Sequence, residues 1–394
     1  MGRARSRKDP FVKRSTGSGL ASPADAEIRH RGRGLPRLVT ALALGATLLS
    51  FSLIGSFSLA QDVTFFRIGT GSTAGTYFPI GGIIANAISK PPGSRECDLG
   101  GSCGVTGLIA VAQSTRGSVA NLDAIHKSQL ESGLSQADVA FWAYNGNGIF
   151  KSNGAMSSLR AVANLFPESV HLVVSRDSGI RSMADLSGKR ISVDREGSGT
   201  RVDAVLILEA YGIAPSDLEL FSLPAGEASD ALRAGEIDGF FFVAGAPAAA
   251  VTQLAMDSLI TLVPITGTEV EDLLWIYPFF GKSEIPSGTY FNVPQTETLS
   301  VGAQLIVSES LSEDLVYEIT RALWNENTEK LLIDGHPKGA LIRPETALVG
   351  LAIPLHPGAE RWYREQNLLG GDEDEEEEAG ASESEEPAQA PESQ

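Results

Sequence analysis

Hydroxyls and backbone N–H groups gather in "RIGTGSTAGTYFPIGGIIANAI", Arg67 to Ile88, where an apolar run meets a glycine-rich turn and then a helical stretch. Anion binding is the chemistry open to such a turn, because the first turn of a helix presents unpaired N–H groups and a partial positive charge. A dinucleotide loop is excluded by spacing, since Gly69, Gly71 and Gly75 stand two and then four apart instead of in Gly-x-Gly-x-x-Gly. A phosphate loop is excluded because no lysine occurs between Arg67 and Lys90. What remains is a site suited to a carboxylate as well as to a phosphate.

Two later turns follow the same logic, "ISVDREGSGTRVDAVLILEAYGI" and "IDGFFFVAGAPAAAVTQLA". In the first, Gly197 and Gly199 allow close backbone approach, Ser198 or Thr200 can cap the helix, and Arg201 sits in its first turn. A fourth segment, "LESGLSQADVAFWAYNGNG", offers Gln136 as a donor at a strand end and Asp138 as a helix cap; Trp142 and Tyr144 suit a cleft wall or a core. Ligands of open α/β sheets bind where strand ends deliver such loops to helix starts.

The elements around these loops alternate. "VTFFRIG", "SGLSQ", "LRAVANLF", "SVHLVVS", "RISVD", "LELFSLP", "GFFFVAG", "ITLVPI" and "GAQLIVS" read as strands, and stretches such as Gly81 to Ser89, Arg201 to Tyr211 and Glu313 to Glu329 as helices. This is an α/β class with mainly parallel sheets. The roughly 310 residues between the two ends exceed one comfortable core and predict two lobes.

At the N-terminal end, ten Arg and Lys in the first 37 residues precede an uncharged stretch, Leu38 to Ala60, which reads as a secretory signal cleaved before Gln61 or as an uncleaved anchor. Either way the remainder is exported. In that compartment Cys97 and Cys103, in "ECDLGGSCG", are expected to form a local disulfide; a metal site there lacks nearby histidines, and two free thiols are the other reading. From Asp372 to Gln394 the chain holds eleven acids and no base, a tail expected to be disordered. The stated charge of −18 leaves −14 for residues 61–371, which excludes nucleic-acid binding by counterion release.

"GTGSTAGTYFPIGG", "SQADVAFWAYNG", "GSGTRVDAVLILEAYGI" and "ALRAGEIDGFFFVAGAP" resemble the signature stretches of the TAXI family, the extracytoplasmic receptors associated with TRAP transporters. The resemblance runs from Thr64 to about Arg364. It implies a two-lobed, periplasmic-binding-protein-like fold of type II character with crossing hinge strands. Lobe one would comprise residues 62–160 and 268–371 and lobe two residues 161–267, with "LRAVANLF" and "ITLVPI" as crossovers. The resemblance implies capture of glutamate or a related small carboxylate in the cleft, handed to a TRAP permease, by a periplasmic monomer without cofactor or metal. The ligand-binding residues it implies are Ser72, Thr73, Tyr77, Gln136, Ser198, Gly199, Thr200, Arg201, Gly245, Ala246 and Pro247, with Arg201 as the main cation. The family's cysteine-containing insert also appears, as "CDLGGSC".

Two other functions compete. An exported hydrolase lacks any evident pairing of His126, His171, His336 or His356 with a carboxylate. A membrane-tethered ligand sensor would retain Leu38 to Ala60.

Overall fold

The computed structural model describes residues 63–369. The basic head, the signal or anchor segment and the acidic tail lie outside the described residues. Among those described, no helix is long and apolar enough to cross a membrane.

Ten strands form one mixed sheet. They are β1 (Thr64–Gly69), β2 (Leu108–Gln113), β3 (Ser132–Gln136), β4 (Leu159–Ser175), β5 (Arg190–Ser192), β6 (Glu219–Phe221), β7 (Gly239–Ala244), β8 (Ile260–Leu262), β9 (Phe280–Ile285) and β10 (Thr296–Ser308). Helices α1 (Tyr77–Ile88), α2 (Ser118–His126), α3 (Ala137–Asn145), α4 (Gly199–Ala210), α5 (Ala225–Arg233), α6 (Ala249–Met256), α7 (Thr268–Ile276), α8 (Glu313–Leu323), α9 (Glu326–Gly335) and α10 (Pro357–Glu365) cover it.

The strand order is β2-β1-β3-β10-β4-β7-β5-β6, with β8 on β4 and β9 on β10. Parallel pairs occupy the two ends: β1 with β2 and β3, and β5 with β6 and β7. The centre is antiparallel, where β4 and β10 run alongside each other. A mainly parallel sheet is therefore corrected to a mixed one, because two long strands travelling between the halves in opposite directions must pair antiparallel. This is the two-lobed, periplasmic-binding-protein-like α/β architecture expected from the sequence.

The crossing is marked by residue type. "LRAVANLF" and "SVHLVVS" form one 17-residue strand that continues through Pro167. Pro167 has no N–H to give a ladder, and it stands opposite Gly302, with register shifts following at Ala303/Gln304 and Leu305/Ile306. The first part of β4 pairs with the second part of β10, which also lies on β3. The second part of β4 pairs instead with β7 and β8, so "ITLVPI" is a short strand at the far end of β4.

Packing follows this division. One core holds Phe66, Ile68, Ile80 and Ile84 with Leu305, Ile319, Leu323 and Tyr363, and so joins β1, α1, α8 and α10. On the other side Leu172, Ile191, Ile207 and Phe241 pack with Val270, Leu273, Phe280 and Leu299, so α7, β9 and the start of β10 share a core with α4 and β7. The alternate residues of β7, Phe240 and Phe242, enter a separate cluster with Leu232, Val251 and Tyr290. A strand covered on both faces reads as the unbroken apolar run "GFFFVA".

Local chemistry explains smaller departures. The helix expected over Glu313 to Glu329 is two helices, because Asn325 ends the first and caps the second, its Oδ1 accepting from Asn327 N at 2.9 Å. Cys97 and Cys103 form the disulfide expected of them, six residues apart. Closing so short a loop constrains the unfolded chain by about 2 kcal/mol. Replacing both cysteines by alanine is therefore expected to lower unfolding free energy by about 2 kcal/mol, read by denaturant titration, with no change of fold.

Candidate functional site

Four loops converge where the two halves meet. After β1, Ser72 and Thr76 lead into α1; after β2, Arg116, Gly117 and Ser118 lead into α2; β3 ends in Gln136; and after β5, Asp194, Arg195 and Ser198 lead into α4. Together with Tyr77, Glu168, Gly199, Thr200, Phe242 and Val243 they line a cavity of about 50 Å³. That volume holds a few water molecules.

Contacts across the cavity draw the halves together. Ala120 N donates to Gly197 O at 3.0 Å, and Ala250 N to Ala74 O at 3.2 Å. Arg195 Nη2 donates to Thr115 O at 2.8 Å, and Gln136 Nε2 donates to Asp203 Oδ2 at 2.5 Å. Gly199 makes the last approach possible: a Cβ there would lie 2.5 Å from Gln136 Cδ and 2.7 Å from Ser118 Oγ, and closer still to Gln136 Oε1. A glycine at the first position of α4 thus lets a side chain from β3 lie over the helix N-terminus.

The expected residues divide. Ser72, Tyr77, Gln136, Ser198, Gly199 and Thr200 are brought to the cavity. Tyr77 OH donates to Glu168 Oε2 at 2.5 Å. Ser198 caps α4, its Oγ accepting from Arg201 N at 3.1 Å, and Thr200 Oγ1 accepts from Val243 N at 3.1 Å, so both hydroxyls also hold the wall in place. Thr73 is exposed and outside the lining; its neighbour Thr76 takes the inward place, donating to Gly245 O at 2.8 Å. Gly245, Ala246 and Pro247 are likewise absent from the lining, and the wall there is Phe242 and Val243. Asp138 does not cap α3; its carboxyl oxygens have no hydrogen-bond donor. Trp142 belongs to the core, edge-on to Tyr277 and Phe279 at 5.8 and 5.3 Å.

Arg201 is the most instructive placement. Its Nη1 donates to Asp194 O at 3.3 Å and to Ser222 Oγ at 3.1 Å, and it does not line the cavity. The cations that do are Arg116 and Arg195. Arg116 packs against Gly197, and Arg195 keeps a buried Nε with no hydrogen-bond partner among the described residues. Buried donors are almost always satisfied, so an unmatched guanidinium N–H at a cavity wall fits an anion. The sequence does carry a signal for Arg116: "STRGS" follows the apolar run "LIAVAQ" and precedes a helix, repeating the pattern of the other loops. Arg201→Ala is expected to leave ligand affinity within about threefold, measured by calorimetry, because its guanidinium bonds a backbone carbonyl and a serine hydroxyl and does not line the cavity.

Two carboxyls balance the arginines. Burial pushes Glu168 up to about 8, against the Tyr77 hydrogen bond and the charge of Lys338, which pull it down. Burial also raises Asp194 to about 6, while its Oδ1 accepts from Arg195 N at 2.6 Å. Asp194 has φ 67°, a left-handed conformation that aspartate tolerates better than most residues. The histidines are engaged elsewhere. His171 Nδ1 faces Ser169 O at 2.8 Å and its Nε2 faces Tyr290 OH at 2.9 Å, with burial lowering it to about 4. His336 and His356 cap helical turns.

A family model described as NMT1-like matches residues 68–366, a span that includes every loop of the cavity. The chain belongs to the NMT1-like family. Among solved structures, this NMT1-like chain is similar to MatC from Rhodopseudomonas palustris with bound malate, at 14% identity over 77% of this chain and 98% of that one, with a TM-score of 0.48. It is also similar to the alkanesulfonate-binding protein SsuA from Xanthomonas axonopodis pv. citri bound to MOPS, at 16% identity over 79% and 96%, with a TM-score of 0.42. The fold assignment of this NMT1-like chain rests on its sheet order.

Proposed function

We propose that the protein is a periplasmic solute receptor of the TAXI type, which captures a small carboxylate between its lobes and delivers it to a TRAP permease. The observation that carries this reading is the unmatched Nε of Arg195 on a cavity walled by both halves. Arg116, the N-terminus of α4 and the Ser72 hydroxyl supply further positive or donating groups. Asp194 gives the same cavity a charged seat for an ammonium group, with the carboxyl oxygens of Glu168 as further acceptors, which favours a glutamate-like amino acid over a plain dicarboxylate. The signature stretches of the sequence support the TAXI and TRAP assignment.

Neither half desolvates a carboxylate with enough partners alone, so binding favours the closed arrangement. A cavity of about 50 Å³ requires the halves to part before an amino acid enters. The lobe division read from the sequence is kept, with one change that the packing supports: residues 268–301 move with lobe two. A thermal-shift screen of the chain from Gln61 onward against amino acids and dicarboxylates, followed by calorimetry, tests the reading. A ligand at a hundred times its dissociation constant should stabilise the fold by about 2.7 kcal/mol. No hit across the panel, or chemical conversion of the hit, would overturn it.

A further inference from the structure

Asp138, in the first turn of α3, and Asp203, in α4, come from opposite halves, and both are 0% exposed. The two carboxyls bear directly on each other, and three of their four oxygens are buried without a donor among the described residues. These are both oxygens of Asp138 and Asp203 Oδ1; Asp203 Oδ2 accepts from Gln136 Nε2 at 2.5 Å. Two ionised carboxylates facing each other in a water-free interior repel strongly. One proton between them converts the contact into a charge-assisted hydrogen bond.

We propose that Asp138 and Asp203 form a proton-binding site that is complete only when the two halves are closed, so that closure takes up a proton. The proposal rests on the receptor reading above for the closing motion itself. Gln136 links the proton to the ligand seat, because the same side chain lines the cavity and donates to Asp203.

The groups around the pair do not replace the proton. From α1 comes Tyr77, and from β4 comes Glu168; both bear on the pair, and neither supplies a positive charge to it. Lys338 acts on Glu168 and lies beyond it. From α2 comes Ser118, buried and uncharged, whose Oγ meets Gln136 Oε1. Burial raises Asp138 to about 6 and Asp203 well above the usual carboxylate range. Once the halves part and water reaches the pair, both return towards about 4 and the proton leaves.

The sign follows. Above about pH 6 the closed pair binds one proton more than the open pair, so its contribution favours closure as pH falls and fades as pH rises. For one proton, the closed-to-open ratio changes by up to about tenfold per pH unit in that window.

Two measurements on the ligand-free protein test this. Pulsed electron resonance between one spin label on the exposed face of each half reads the closed-to-open ratio from pH 5 to 8. Infrared difference spectra read the carbonyl stretch of a protonated carboxyl at pH 7. We expect Asp203→Asn to remove one such band and to lower the pH slope of closure by one proton, since its amide donates to Asp138 without titrating. Asp138→Asn, donating in the other direction, should lower the slope equally and guards against a single variant that fails to fold. Loss of no band, or an unchanged slope in both variants, would overturn the proposal. If the slope behaves as expected but no amino acid or dicarboxylate binds, the proton site stands and the receptor reading falls. Carboxylate binding with an unchanged slope does the reverse.

Discussion

Replacing Arg195 by alanine should reduce affinity for the carboxylate ligand by roughly thirtyfold or more, the largest loss expected from any single cavity side chain. Arg195 combines two roles that other residues hold separately. Its Nη2 ties the second half to Thr115 O of the first, and its buried Nε has no partner among the described residues. Truncating one member of a buried, hydrogen-bonded charge pair costs about 2–5 kcal/mol, and each 1.4 kcal/mol is about tenfold in affinity. Arg195→Lys is the informative control. A lysine keeps the charge but loses the planar fork, so it should recover only part of the affinity. Calorimetry on both variants checks this, and full affinity in Arg195→Ala would remove the arginine from the site.

Replacing Gly199 by alanine should cost a comparable factor for a different reason. Alanine is a better helix former than glycine, and Gly199 is not among the glycines with positive φ, so α4 itself should gain slightly. The added Cβ instead meets the side chain of Gln136 from the other half. Gln136 must withdraw, which breaks its bond to Asp203 and holds the halves apart. Affinity is expected to fall by more than about tenfold while thermal stability without ligand changes by less than about 1 kcal/mol. Shortening Gln136 to alanine in the Gly199→Ala background should restore part of the loss, giving a coupling energy that neither single change predicts. Additive losses would show that the two residues do not meet during binding.

Much of the binding surface is legible before folding because it depends on local rules. A strand that ends in glycine and hydroxyl residues before a helix exposes N–H groups whatever the remainder of the chain does, and Ser198, Gly199 and Thr200 follow from that rule, Gln136 from its place at a strand end, and Ser72 and Tyr77 from the family resemblance. Ser198 caps α4 as its position before the helix implies. The alternation of apolar runs and amphipathic stretches likewise fixes the α/β class, because each pattern has one stable way to bury its apolar face.

Three features obey no local rule. Pro167 argues for a strand end in sequence, yet β4 runs through it because Gly302 stands opposite and the missing N–H is tolerated at the crossing. Arg201 and Arg195 are equally basic and six residues apart on either side of one loop, and only the left-handed turn at Asp194 and the capped start of α4 decide that Arg195 faces the cavity. Asp138 and Asp203 lie 65 residues apart in sequence, each unremarkable on its own helix. The sequence alone determined the class of fold and most of the loops that meet at the cavity, since those follow from composition and nearest neighbours. Which arginine serves the site, where the sheet crosses between the halves and which acids share a proton were decided only by tertiary structure, because each depends on what the opposite half places within hydrogen-bonding distance.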